Sequence, residues 1–273
     1  METEAGSRLE PEADLGGAFP SARARTLARR LMWSGVALFW IVLLTLSLVA
    51  GMALVDAILL AVLLAAIPTF AIAQVPLIDG VEIERLPAYW SSIATLWILG
   101  TACWLVGARA GGPSALGFVA MPALPLVAWS LGLTVAGLLL IVVFHGIARS
   151  VGVLDSELLE QLLPRTARER RVFALLSMAA GTGEELAYRG YAIPVLTPLL
   201  GVAGAAILST VVFGVIHAYQ GILGIVRTGL MGGVLAGGFL ATGSLWPPIL
   251  AHTLIDLVAG IALGDKLLVT PER

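Results

Sequence analysis

Long apolar segments recur along this chain, and they limit its possible folds more than any other feature of the sequence. A helix needs about 20 apolar residues to cross the hydrocarbon core of a bilayer, and about eight segments approach that length. They are residues 32–51, 53–74, 89–107, 124–147, 172–195, 200–218, 224–242 and 247–264. Only 12% of the residues are charged, whereas 59% are hydrophobic; a soluble domain has about twice that charged share. We therefore expect an all-α fold, a polytopic transmembrane helical bundle of about eight spans.

Polar segments divide the chain into four parts. Residues 1–31 are acidic at their start and low in apolar content, so they are predicted to form a disordered, polar cytoplasmic tail. Residues 32–150 are predicted to be N-terminal transmembrane helices, and residues 151–264 a second helical part that begins with a long polar connection. Residues 265–273 are predicted to be a C-terminal tail.

Arginines indicate the orientation of the chain in the membrane. Four precede the first apolar segment, and five lie in and next to the polar connection of residues 150–171. They are Arg23, Arg25, Arg29, Arg30, Arg149, Arg165, Arg168, Arg170 and Arg171. Because cytoplasmic loops are enriched in Arg and Lys, both regions and both termini are predicted to be cytoplasmic. The scarcity of lysine beside common arginine suggests a bacterial chain, and hence a multi-pass protein of the inner membrane.

The segment "GTGEELAYRG" places charged residues in the middle of an apolar span. A charged residue at a helix centre costs about 2.5–3.5 kcal/mol, whereas a leucine returns only about 0.5 kcal/mol, so such residues normally face the protein interior and are functional. Glu185 and Arg189 are one helical turn apart and can pair. Glu184 points about 100° away and stays free for chemistry. A purely structural ion pair would explain Glu185 and Arg189 but not Glu184.

Two of the three histidines lie in other apolar spans with a possible partner one turn away. His217 in "FGVIH" follows Phe213, and His252 in "HTLID" precedes Asp256, a pair whose spacing can orient the imidazole. We interpret His145, near the cytoplasmic end of its span, as an interfacial residue. If the three spans converge, they build a site of carboxylates and imidazoles inside the bundle.

"EELAYRG", "FGVIH" and "HTLID" match, in order and spacing, the EExxxR, FxxxH and HxxxN/D motifs of the CPBP family. This group of CAAX proteases and bacteriocin-processing proteins is also called the Abi family. The resemblance covers about residues 165–262, so it implies that residues 151–264 are a CAAX-protease-like catalytic core. It implies a helical intramembrane endopeptidase that hydrolyses a peptide bond near the C-terminus of a membrane-associated substrate. In the type II CAAX proteases of this family, the substrate carries a prenylated cysteine.

The resemblance also implies residue roles. Glu184 would be the general base, His217 would bind and activate the water, and His252 and Asp256 would face the developing oxyanion. The supporting residues would be Glu185, Arg189 and Phe213. Amide hydrolysis needs a base for the water and donors for the oxyanion, which these side chains supply. Cys103 lies outside the motifs and no G-x-S-x-G is present, so water is the expected attacker.

A cofactor is not expected, although zinc is the alternative. Members of the family often carry Asn where this chain has Asp256, and an aspartate suits a metal ligand as well as an orienting group. Zinc would be held by Glu184, His217, His252 and Asp256, but the chain has no H-E-x-x-H motif.

Simple full spans would put His217 and His252 near opposite faces of the membrane. They can meet only if a helix starts below the surface, so we predict that "TGSLWPP" (242–248) lies inside the membrane profile. In the preceding span, glycines recur at every fourth residue and predict a close helix contact in lipid. They are Gly229, Gly233 and Gly237.

Two other classes of function remain open at this point. The first is a non-catalytic protein of the same fold, such as a bacteriocin-immunity factor or a membrane scaffold. The second is a proton-coupled transporter, because intramembrane acids also serve proton relays; the inverted repeats that such a carrier would favour are not found in the sequence. The expected partners are the lipid bilayer and a membrane-associated peptide or protein. Nucleic acid is excluded, since no basic patch is interleaved with aromatic residues.

Overall fold

The computed structural model describes residues 20–78, 81–109 and 111–268, and these residues contain helices and no β-strand. The α-helices are α1 (Ala22–Leu44), α2 (Leu54–Ala61), α3 (Ile67–Ile78), α4 (Arg85–Gly107), α5 (Ala123–Val151), α6 (Glu157–Leu162), α7 (Ala167–Glu185), α8 (Ile193–Val215), α9 (Gly221–Thr242) and α10 (Trp246–Leu257). Stretches of π-helix extend or join them at Thr45–Val49, Val62–Ala66, Leu186–Ala192 and Val258–Leu263. Short 3₁₀ turns lie at Pro113–Leu116, Ala218–Gln220 and Gly264–Leu267.

Seven continuous helical segments in the described part of the chain are long and apolar enough to cross a membrane. One of them, Ala167–Val215, has 49 residues, which is about 70 Å of helix and more than twice the thickness of a hydrocarbon core. Its backbone breaks at Gly201, where φ is 68° and ψ is 166°, so this segment supplies two passes. The predicted polytopic all-α bundle is confirmed, and the chain is an integral, multi-pass membrane protein.

The first helix begins at Ala22, about ten residues before the predicted span. Ser21 accepts a hydrogen bond from the backbone N–H of Ala24 at 3.1 Å and caps the helix, and the Ala, Leu and Arg residues that follow are good helix formers. The prediction of disorder is therefore wrong for residues 22–31. Residues 1–19 and 269–273 lie outside the described residues.

The polar connection between α5 and α7 is more helical than expected. It contains the short helix α6, in which the Ser156 side chain caps the N-terminus by accepting a hydrogen bond from the Leu159 N–H. Helix α7 starts at Ala167, because Thr166 and Glu169 form a reciprocal capping box in which each side chain accepts a hydrogen bond from the other's backbone N–H. The sequence carries this Thr-x-x-Glu signal just before the apolar run.

Helix α7 lies between α4 and α10, and two glycines allow this close packing. A Cβ atom on Gly183 would lie 2.8 Å from the Leu96 carbonyl oxygen of α4. A Cβ atom on Gly181 would lie 2.9 Å from the Ile249 carbonyl oxygen of α10. Only glycine fits at both places, so the backbones of three helices meet just before Glu184.

The glycine row on α9 meets α8 over part of its length. A Cβ atom on Gly229 would lie 3.7 Å from the Cα of Gly214, and one on Gly233 would lie 3.5 Å from the Thr210 side chain. At Gly237 no neighbouring atom lies within 4 Å of the Cβ position. The predicted contact is therefore present at the first two positions and is wrong for Gly237, which the contact with α8 does not reach.

The turn that joins α9 to α10 is covered by protein. Gly243 adopts a left-handed conformation with φ of 65°, Leu245 donates its N–H to the Gly117 carbonyl at 2.7 Å, and the Ser244 hydroxyl donates to the Val119 carbonyl at 2.8 Å. Ser244 and Leu245 are fully buried. A non-helical segment inside a membrane needs hydrogen-bond partners for its backbone N–H and carbonyl groups. The depth of residues 242–248 in a bilayer stays a prediction.

Candidate active site

A buried ion pair links α7 to the two helices that follow it. Glu185 and Arg189 are both fully buried, and Arg189 donates from one guanidinium nitrogen to Glu185 Oε1 at 2.9 Å. The second nitrogen donates to the Gly232 carbonyl of α9 at 2.8 Å, while the guanidinium lies 4.2 Å from the centre of the Phe213 ring of α8. Arg189 belongs to the π-helical stretch Leu186–Ala192, a deviation that is common at functional sites.

Gly232 has no side chain, and this leaves space for the Arg189 guanidinium. A Cβ atom at that position would lie 2.8 Å from both the Arg189 guanidinium and the Phe213 ring. Cβ atoms in proteins do not approach other heavy atoms as closely as these two distances, so any side chain at position 232 would displace the buried guanidinium or the ring.

His252 of α10 is oriented by Glu185 and not by its predicted partner. The imidazole Nδ1 lies 2.8 Å from Glu185 Oε1, the same oxygen that binds Arg189. The Asp256 carboxylate is 3.7 Å from the opposite ring nitrogen, Nε2, which is too far for a hydrogen bond. The expectation that Asp256 orients this imidazole is therefore wrong, because the close contact of α7 with α10 brings Glu185 nearer. Asp256 instead lines the cavity described below.

Glu184 occupies the adjacent face of α7, as the helical spacing predicts. Its Oε2 atom lies 4.0 Å from His217 Nε2 and 3.9 Å from His252 Nε2. This oxygen is buried and has no hydrogen-bond partner among the described residues. Such an unsatisfied acceptor is uncommon in a native interior and calls for an explanation.

His217 reaches the site from the turn after α8. Its Nδ1 lies 2.9 Å from the Phe213 carbonyl oxygen. Since a carbonyl only accepts, Nδ1 carries a proton, and in the neutral form of the ring Nε2, on the side of Glu184, is the basic nitrogen. His145 lies on α5 and is not among the described residues that line the cavity.

The three motifs open into one cavity of about 700 Å³. Its polar part contains Glu184, His217, His252 and Asp256, whereas α6 and its C-cap contribute an apolar wall formed by Leu158, Leu159, Leu162 and Leu163. The Tyr89 hydroxyl of α4 donates to the Leu162 carbonyl at 2.6 Å, and the Arg85 Nε donates to the Leu163 carbonyl at 2.9 Å. These bonds hold α6 against the cavity.

Sequence reasoning overlooked two charged residues inside predicted spans. Asp56 of α2 pairs with Arg109 and accepts a hydrogen bond from the Tyr191 hydroxyl at 2.9 Å. This bonding raises the pKa of Arg109. Arg227 of α9 lines the cavity. The cost of a charge in an apolar run, which drew attention to Glu184, applies equally to Asp56 and Arg227.

The donor atoms of this cluster do not have the spacing of a metal site. Among the residues that the structure describes, no group of three or more His, Cys, Asp or Glu side chains is arranged to hold a metal ion. Glu184, His217, His252 and Asp256 supply suitable donor types, but their facing atoms are 3.7–4.0 Å apart. Two ligands of one tetrahedral zinc ion lie about 3.3 Å apart, so the cluster is too wide for zinc as it stands.

Comparison with known families identifies the segment that carries this geometry. Residues 168–258 match the family model described as Rce1-like, type II CAAX prenyl endopeptidase Rce1-like. This segment is therefore similar to the Rce1-like proteins of the CPBP family. It runs from the start of α7 into the end of α10 and includes every predicted site residue. The recognition based on the three motifs is confirmed, and the Rce1-like match points to a protease that resides in the membrane.

The Rce1-like match covers about a third of the 273-residue chain. No curated protein and no solved structure matched the chain. The roles of individual side chains and the substrate must therefore be argued from the geometry.

Proposed function

We propose that this chain is an intramembrane endopeptidase that hydrolyses a peptide bond near the C-terminus of a membrane-associated substrate, with water activated by Glu184 and His217. One observation carries the proposal. The buried Glu184 Oε2 lies about equally far, 4.0 and 3.9 Å, from the Nε2 atoms of His217 and His252. A structural ion pair between helices does not require this arrangement, because Glu185 already neutralises Arg189.

The separation of these atoms suits one water molecule. A distance of 4.0 Å between Glu184 and His217 is too long for a direct hydrogen bond. A water placed about 2.8 Å from both atoms bridges them with an angle of about 90° at its oxygen. Such a water donates one hydrogen to the Glu184 carboxylate and one to the neutral His217 Nε2, which leaves an oxygen lone pair free to attack a carbonyl carbon.

Proton transfer then follows from the positions of the acceptors. As the water oxygen bonds to the carbonyl carbon, Glu184 takes up one of its protons. When the carbon–nitrogen bond breaks, Glu184 returns that proton to the leaving amine. The products are a new carboxylic acid and a new amine, and the enzyme ends in its starting protonation state.

His252 is the group best placed to stabilise the oxyanion. Glu185 Oε1 lies 2.8 Å from its Nδ1, and the carboxylates of Glu184 and Asp256 lie 3.9 and 3.7 Å from its Nε2. Carboxylates this close favour the charged imidazolium, in which Nε2 is a donor. A donor fixed in a low-dielectric site stabilises the tetrahedral intermediate strongly. Glu185 and Arg189 hold this imidazole in position from outside the cavity lining, and Phe213 packs beside it and also lines the cavity.

Zinc is the alternative to a metal-free reaction, and the present spacing does not suit it. The facing atoms would have to approach one another by about 0.5 Å to meet tetrahedral zinc distances. Catalysis by Glu184 and water needs no such movement. The metal-free reading predicts that strong chelators leave the rate of the purified protein unchanged.

The cavity suits a substrate with an apolar part. Its volume of about 700 Å³ lies in the usual range for ligand pockets, and the four leucines of the α6 region form one wall. A peptide that carries a lipid chain, such as a prenylated cysteine, would place the chain against this wall and its peptide bond beside Glu184.

We propose that this cavity opens toward the inner side of the membrane. Four crossing segments precede α6, so α6 lies on the same side as the N-terminus. The arginines around α6 favour the cytoplasm. These two arguments support a protease with both termini inside the cell and a cavity reached from the cytoplasm, and the scarcity of lysine supports a bacterial inner membrane.

A comparison of protein C-termini in cells tests the proposal. Cells that express the native chain should contain truncated C-termini that are absent from cells with Glu184→Gln, and those termini identify the substrate. Glu157→Gln, an exposed change on α6, is the matched control and should leave the truncated species in place. Identical C-termini in all strains, together with a deletion phenotype that Glu184→Ala and His217→Ala do not reproduce, would show a non-catalytic protein.

A further inference from the structure

The turn after His217 brings a tyrosine into the cavity beside the hydrolytic cluster. The 3₁₀ turn Ala218–Gln220 joins α8 to α9, and Tyr219 and Gln220 both line the cavity. The Tyr219 ring lies 5.9 Å from the His217 ring. The proposed hydrolysis of the peptide bond uses His217 and gives no role to Tyr219.

Hydrogen bonds hold the backbone of this turn. The Ser156 hydroxyl, at the N-cap of α6, donates to the Tyr219 carbonyl at 2.6 Å. The Gln220 N–H donates to the His217 carbonyl at 2.9 Å. The backbone is therefore fixed next to Tyr219, and its side chain points from a preorganised position before any substrate binds.

The direction of the bond between Gln220 and Tyr219 follows from the neighbouring arginine. A guanidinium only donates, so the Gln220 amide atom that lies 2.9 Å from Arg227 is the oxygen Oε1. The Thr228 hydroxyl donates to the same oxygen at 3.1 Å. The other amide atom is the nitrogen, which only donates, and it lies 3.2 Å from the Tyr219 hydroxyl. The Tyr219 oxygen is the acceptor in this bond, and its own proton is left for another partner.

The protein itself does not supply that partner. Among the residues that the structure describes, none accepts the Tyr219 proton. The Tyr188 hydroxyl also has no partner there, but Tyr188 is not one of the described residues that line the cavity. Tyr219 thus presents a free O–H donor to whatever occupies the cavity. A peptide chain carries a carbonyl acceptor at every residue.

We infer that the Tyr219 hydroxyl donates a hydrogen bond to a main-chain carbonyl of the bound peptide and thereby helps to hold the chain beside Glu184 and His217. The inference rests on the proposed peptidase function. Because every peptide has main-chain carbonyls, this contact supports binding without selecting a side chain. It is made before the reaction and kept during it, so it strengthens binding of the substrate and leaves the chemical step unchanged.

A binding assay and a rate assay together test this contact. The probe is a fluorescent pool of peptides with an S-farnesylcysteine followed by three randomised residues. Tyr219→Phe removes only the hydroxyl, and it should weaken binding of the pool to the Glu184→Gln protein about 2- to 10-fold, the range of one neutral hydrogen bond. With Glu184 intact, the single-turnover rate at a saturating concentration of the pool should stay within about threefold. Glu157→Gln, an exposed change on α6, should alter neither quantity.

Gln220→Glu separates a contact with the substrate from a structural role of the hydroxyl. An ionised carboxylate only accepts, so Tyr219 would donate to it and the bond between these side chains would persist in the reverse direction. Binding of the pool should weaken as in Tyr219→Phe, although this bond is kept. In the Tyr219→Phe background, Gln220→Glu should cause no further loss, which controls for its added charge.

Several results would overturn the inference. They are a pool that does not bind, native affinity in Tyr219→Phe or in Gln220→Glu, and losses that add in the double variant. A chemical rate that falls in Tyr219→Phe while the affinity is kept would show that the hydroxyl acts on His217 or on the oxyanion instead. Binding that Tyr219→Phe weakens, without cleavage by the native protein, would support the contact and refute the peptidase.

Discussion

Substitution of Glu185 by glutamine should destabilise the protein much more than its small change in shape suggests. Oε1 of Glu185 is close to both Arg189, at 2.9 Å, and His252, at 2.8 Å, and Glu185 and Arg189 are fully buried. Glu185→Gln leaves the arginine charge in the interior without a counter-charge. Removal of one member of a buried pair costs about 3–5 kcal/mol, a factor of roughly 150 to 5,000 in the unfolding equilibrium at 25 °C.

The free energy of unfolding can be measured by SDS titration in mixed micelles with tryptophan fluorescence as the signal. A double-mutant cycle with Arg189→Met isolates the pair, because Glu185→Gln/Arg189→Met removes both charges and should recover most of the lost stability. Glu157→Gln is the exposed control and should change stability by no more than about 0.5 kcal/mol. The reasoning fails if Glu185→Gln is as mild as the control, or if the two single effects simply add.

Three other predictions concern a glycine beside the buried arginine, the ion pair of Asp56 with Arg109, and the effect of chelators on cleavage. Gly232→Ala should slow cleavage at least about tenfold, because its Cβ would lie 2.8 Å from a buried guanidinium nitrogen and from an aromatic ring. Gly237→Ala, with open space at that position, should retain the native rate, so equal rates for the two variants would contradict the geometry. Asp56→Asn and Arg109→Gln should each lower the thermal midpoint in detergent, and the double variant should be no worse than either single one; additive losses would argue against the ion pair. Cleavage should persist in EDTA and in 1,10-phenanthroline, and activity that is lost to both and restored by zinc would establish a metalloprotease.

Much of the site follows from one energetic rule applied to the sequence. Charged residues in apolar helices are costly, and this rule identifies Glu184, Glu185 and Arg189 from the sequence alone. Helical spacing also separated the free carboxylate from the paired one. The same rule applies to Asp56 and Arg227, whose charges also lie in predicted spans and pair with residues far away in the sequence.

Contacts between helices that are far apart in the sequence cannot be predicted from the spacing of residues within one helix. Asp256 is one turn from His252 and was the natural partner, but Glu185 is the residue that contacts Nδ1. That contact depends on how closely α7 approaches α10, which Gly181 permits. Helix starts were missed for a different reason, since the Ser21 cap and the capping box at Thr166 extend α1 and α7 into polar sequence.

The rate of the chemical step in a single turnover tests the central claim most directly. With a substrate identified from cellular C-termini, Glu184→Gln should lower this rate by about 10²- to 10⁴-fold, the usual contribution of a general base. Substrate affinity should change by less than about threefold, because Glu184 binds water before the reaction and meets the peptide nitrogen only as the carbon–nitrogen bond breaks. A Glu184→Gln protein that retains the native rate within about threefold would contradict the account, since no other carboxylate in it takes the proton from water.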